Sequence, residues 1–211
     1  MRESGGAVQA ATGVTVGGAA ATFLSGSTNA NNVIRAELWY KLAPATGTVA
    51  ITTTGHASTD AMVVGTLSFK AVAQTSTFNT AKNAEGSSDA NADANTIASA
   101  AGEMGVDCLA ARYGAASAVT LSADGTAPVS TERYDNAHDA GGGTLTGGGY
   151  TEDGAATSID MRVDLSESVQ WAAVAVSMRP LTVTRRPIAP IILSYLWSFF
   201  TPYEVHACYG C

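Results

Sequence analysis

Four groups of side chains in this sequence have types and spacings that chemistry could use. Asp160 and Asp164 fall on one face of an alternating run with Arg162 between them, the nearest approach to the paired carboxylates of a glycosidase. Asp89, Asn91, Asp93 and Asn95 recur at every second position and offer hard oxygens to Ca2+, and Asp135, Asn136 and Asp139 form a second such cluster beside a glycine-rich stretch. Trp39, Tyr113, Tyr134 and Tyr150 are amphipathic rings beside loops or hydrogen-bonding residues, the combination that stacks on a sugar. Cys208 and Cys211 make a Cys-x-x-Cys pair near His206.

Each group also has a plainer account. Asp-Arg-Asp on one strand face compensates its own charge in solvent, and no glutamate joins it to complete the Glu-Asp-Glu alternation of lectin-like glucanases. The Asp/Asn alternation lacks the glycine and terminal glutamate of a helix-loop-helix calcium site, so it reads equally as an acidic loop. A redox Cys-x-x-Cys belongs at the start of a helix within a fold, and a zinc site would need two ligands beyond the cysteine pair, with only His206 near. The remaining histidines, His56 and His138, lie in separate loops without metal-ligand spacing. Cys108 alternates with Val106 and Ala110 and is expected as a buried thiol. No Gly-x-Ser-x-Gly elbow occurs.

Composition narrows the partners. The chain has 211 residues and a net charge of −7, with only Lys41, Lys70 and Lys82 for lysine. Arg35, Arg112, Arg133, Arg162 and Arg179 are single and scattered, each near an acid, so no phosphate-binding face and no nucleic-acid partner are expected. No apolar leader follows Met1, so localisation at a cell surface or outside the cell is expected only as part of a longer parent chain.

The elements that must carry these side chains are strands. Positions 33–42 alternate, with Ile34, Ala36, Leu38 and Tyr40 on the core face and Arg35, Glu37, Trp39 and Lys41 on a wet face. Positions 157–165 alternate most sharply: Ile159, Met161, Val163 and Leu165 oppose Asp160, Arg162 and Asp164, so a one-residue slip would bury three charges. Further strands are expected at 48–54, 61–73, 104–113, 117–122, 129–134 and 169–178, and a hairpin over 12–23 turns on Gly17-Gly18. Gly65 marks a bulge or the close approach of a neighbour. The stretches 74–101 and 135–149 read as loops, and Ser166, Glu167 and Ser168 as a turn. The whole predicts an all-β, antiparallel, jelly-roll-like sandwich of about eight to ten strands over 1–181.

Residues 182–211 differ in kind. Their apolar run, 188–200, is about half the ~20 residues a spanning helix needs and is bracketed by prolines. It is expected to lie outside the core, and membrane contact through it is not expected.

Val14-Thr15-Val16-Gly17-Gly18, Glu37-Leu38-Trp39-Tyr40, Gly102 to Asp107, and Gln170-Trp171-Ala172 running to Pro180 together resemble a recurring bacterial β-sandwich domain of secreted, surface and phage-associated proteins. The resemblance covers roughly 12–180. It implies a structural or binding role and no catalytic residues. Members of that family begin with one further strand, so an open sheet edge and self-association are expected here. The wider architecture resembles lectin-like jelly rolls, which makes a polysaccharide a candidate partner and a sandwich-type glycoside hydrolase the alternative function.

Overall fold

The computed structural model describes residues 2–3, 7–55, 61–113, 120–123, 130–139 and 143–182, with backbone alone at 2–3, 89, 91, 93–95, 121, 123 and 139. It is the antiparallel all-β sandwich that the alternation predicts. Its strands among the described residues are β1 (Arg2–Glu3), β2 (Gly13–Val16), β3 (Ala19–Ala20), β4 (Thr22–Thr28), β5 (Ile34–Tyr40), β6 (Ile51–Thr54), β7 (Ala61–Met62), β8 (Lys82–Ala98), β9 (Met104–Tyr113), β10 (Leu121–Ala123), β11 (Thr131–Asp139), β12 (Thr144–Asp153) and β13 (Ser158–Met178). They form a sheet ordered β4-β5-β1-β7, a small sheet β3-β2-β6, and a large sheet β10-β13-β9-β12-β11 with β8 on the free side of β13.

Local chemistry accounts for the turns. Gly17 and Gly18 both take positive φ, 59° and 77°, as a two-residue hairpin loop between β2 and β3 demands. Asn29 closes the β4–β5 connection, its side-chain oxygen accepting the backbone N–H groups of Val33 at 2.9 Å and Ile34 at 3.0 Å.

The large sheet is covered on both faces. On one, Cys108, Ala110, Ala172 and Val174 meet Ile34 and Ala36 of β5. On the other, Leu109, Ala111, Ala173 and Ala175 meet Ile159, Met161 and Val163. The second cover is the large sheet's own ribbon doubled back. β8 pairs with β13 from Ala98–Ser158 at one end to Lys82–Ala175 at the other, yet Ser177 donates its hydroxyl to the Ala98 carbonyl at 2.8 Å. A straight ribbon of that length would hold those residues about 60 Å apart.

Three expectations of loops or turns are corrected. Ser166, Glu167 and Ser168 do not reverse the chain: β8 pairs with β13 on both sides of them, and they form an exposed irregularity between Asp164 and Val169 where the ribbon bends. Positions 80–96 are mostly β8, whose inward residues are small (Gly86 and Ala92), so little apolar content was needed to bury one face. Gly147, Gly148 and Gly149 lie in β12, paired with Asn136, Asp135 and Tyr134 of β11. Conversely, the strand expected over 61–73 is only Ala61–Met62 long, after which the chain runs irregularly. The apolar segment 188–200, His56, His206, Cys208 and Cys211 lie outside the described residues.

Candidate functional site: a cavity between three sheets

β5 is covered on both faces. Ile34 and Ala36 face the large sheet, while Arg35, Glu37 and Trp39 point toward the small sheet and the segment before it. The wet face expected for those three is therefore corrected: the side chains of Arg35 and Glu37 are only 20% and 9% exposed. Around them lies a mainly apolar cavity of about 550 Å³, bounded by Val14 and Ile51 of the small sheet, Val63 and Phe69 of the irregular segment, and Val106 and Val176 of the large sheet.

The Glu37 carboxylate takes three donors: Arg35 Nε at 2.5 Å, the Trp39 indole N–H at 2.8 Å and the Ala11 backbone N–H at 3.0 Å. Burial alone would raise its pKa, but these hydrogen bonds and the guanidinium charge outweigh it and hold the group below its ordinary value. Trp39 is fixed a second time by the Phe23 ring, edge-on with centroids 5.2 Å apart. Phe23 itself is 44% exposed, and Ile51, Val64 and Phe69 are also exposed, so the cavity's margin is apolar.

At the cavity's inner wall sit Asp107, Cys108 and Tyr134. Burial pushes the Asp107 carboxyl up to about 8; the Tyr150 backbone N–H, 2.7 Å from Oδ1, opposes that shift, and the buried Glu152 adds to it. Burial thus favours the protonated form of Asp107. Cys108 is the buried thiol expected, its pKa raised by burial to about 11, with Sγ 3.5 Å from the Glu37 carbonyl oxygen. Tyr134 is wedged against Gly65 and Gly149, where any β-carbon would overlap its ring. Gly65 is therefore the close approach that its sequence context suggested, and the need for a bare backbone under Tyr134 explains a glycine inside β12.

Of the four aromatic candidates, the cavity brings together Trp39 and Tyr134. Tyr113 is half-buried at a separate small depression with Arg112 and Gln170. Tyr150 has no exposed surface and lies in the core between the large sheet and its folded arm, so it offers no platform to a ligand. Tyr134 is a wall rather than a platform, because backbone occupies the space against its ring.

Asp160 is exposed, and Arg162 Nη2 lies 3.5 Å from Asp164 Oδ1 on the solvent side of β13, the self-compensating row anticipated from the alternation. Asp89, Asn91, Asp93 and Asn95 lie along β8, and their side chains are outside the described residues, as is that of Asp139. Asp135 and Asn136 are exposed on β11, as is His138. Among the described residues no three His, Cys, Asp or Glu side chains converge as a metal site.

Asp107 and Glu37 are the functional candidates that the sequence pattern did not single out. Glu37 sits in a visible alternation, but nothing in it reveals that a third sheet covers the polar face. A lone aspartate among Val106, Cys108 and Leu109 is the one local signal for Asp107. Comparison with family models, curated proteins and solved structures finds no match.

Proposed function

We propose that this chain is a non-catalytic binding module of a larger surface, secreted or phage-associated protein. The observation that carries the reading is the cavity of about 550 Å³ between three sheets, within the range of about 300–1,000 Å³ in which proteins hold small ligands. Its two carboxyl groups are committed to the protein: Glu37 is saturated by three donors and Asp107 is buried against the Tyr150 N–H. Such groups orient and select a ligand without turning it over. The test is to incubate the full chain with a glycan array, a polysaccharide panel and a small-molecule library. The reading expects saturable binding of one class and no product. Cleavage of a polysaccharide, abolished by Asp160→Asn or Asp164→Asn, would replace it with the hydrolase reading.

A further inference from the structure

We propose that the cavity takes a mainly apolar molecule bearing a single acidic group, with the apolar body between the sheets and the acid at Lys41. This rests on the binding-module reading and names its ligand class. The walls that would meet the body are aliphatic and aromatic: Val14, Ile51, Val63, Phe69, Phe78 and Val176.

Charge balance sets the head group. The formally charged side chains lining the cavity are Arg35, Glu37, Lys41 and Asp107. Arg35 and Glu37 neutralise one another at 2.5 Å. Asp107 is buried, with Oδ1 taken by the Tyr150 backbone N–H at 2.7 Å, and that burial favours its neutral form. Lys41 follows the last residue of β5, is half-buried, and no carboxylate of the described residues pairs with it. The lining therefore carries one uncompensated positive charge beside apolar surface, and an amphipathic monoanion meets both features at once. A sugar meets neither, because its hydroxyls would be stripped of water against valine, isoleucine and phenylalanine.

Ile51, Val64 and Phe69 of the lining, and Phe23 packed on Trp39, are themselves exposed, and an extended acyl or polyaromatic body would cover apolar side chains there.

The test uses the full chain, a medium-chain fatty acid and its methyl ester, titrated by calorimetry and by thermal shift. The acid is expected to bind saturably and raise the melting temperature, and the ester to bind about tenfold more weakly. Lys41→Ala should bring the acid down to the ester's affinity and leave the ester unchanged. Val14→Trp, which fills the cavity, should abolish both while Lys41→Ala keeps the wild-type melting temperature. Acid and ester binding equally, with Lys41→Ala without effect, would overturn the head-group assignment. No saturable binding of either would overturn the proposal; a positive glycan array in that case would leave the binding-module reading standing, and a blank array would remove both.

Discussion

The Trp39 indole donates to the same carboxylate, Glu37, that holds Arg35, so one buried acid ties three consecutive outward residues of β5 into a fixed wall. Alternation places Arg35, Glu37 and Trp39 on one face, and the N–H of Ala11 closes the fourth side. The indole is thereby held in one orientation in the cavity wall, which is the pre-organisation that a binding site needs.

Glu37 and Asp107 drive stability in opposite directions with pH. Glu37 has a folded pKa below its ordinary 4.5, so its contribution is present above that value and lost as pH falls through the folded pKa. Asp107 has a folded pKa raised from 3.8 to about 8, so its contribution is complete below 3.8 and is lost as pH rises toward 8. Chemical denaturation across pH should therefore show wild-type stability declining between roughly pH 4 and 8. Asp107→Asn, which keeps an oxygen for the Tyr150 N–H, should flatten that decline. A decline unchanged in Asp107→Asn would place its origin elsewhere.

Glu37→Gln should lower stability by about 1–3 kcal/mol at pH 7, because the buried Arg35 loses its counter-charge. The loss should shrink as pH falls through the folded pKa of Glu37, which lies below 4.5, because wild-type Glu37 is then itself becoming protonated. A pH-independent difference would mean that the glutamate acts through packing alone.

The contact of Tyr134 with Gly149 yields a packing prediction. Gly149→Ala should cost about 1–3 kcal/mol, since the added methyl overlaps the ring. In the double variant Gly149→Ala/Tyr134→Leu the alanine should cost far less. Additive effects in that cycle would deny the contact.

Tyr150 tests the core on the other face of the large sheet. Its hydroxyl is buried without a hydrogen-bond partner among the described residues. Tyr150→Phe should be neutral or stabilising by up to about 1 kcal/mol in a denaturant melt. A destabilisation beyond that would reveal a partner for the hydroxyl.

The sandwich and its registers were legible where apolar and polar residues alternate. Ile159, Met161, Val163 and Leu165 are all buried as their period requires, and the Gly17-Gly18 hairpin forms. Length and curvature were not legible. Ser166, Glu167 and Ser168 carry turn chemistry but bend a continuous strand, because β8 pairs with β13 on both sides of them. Polar or glycine-rich strands such as 80–96 and 144–149 lack an alternation signal, their order coming from neighbours distant in sequence. The site was hidden for the same reason: a third sheet turns the polar face of β5 into a wall, and no pattern within β5 encodes that contact.

The central claim is that the cavity beside Trp39 binds a ligand without turning it over. The most direct measurement follows the indole N–H resonances of the full chain by 15N NMR during ligand titration, assigned with Trp39→Phe and Trp171→Phe. The Trp39 signal, held by Glu37 in the cavity wall, is expected to shift saturably. Trp171, in the core between the large sheet and its folded arm, should stay in place, and the ligand should be recovered unchanged. A Trp39 signal indifferent to amphipathic acids and sugars alike, or a ligand recovered as cleavage products, would contradict it.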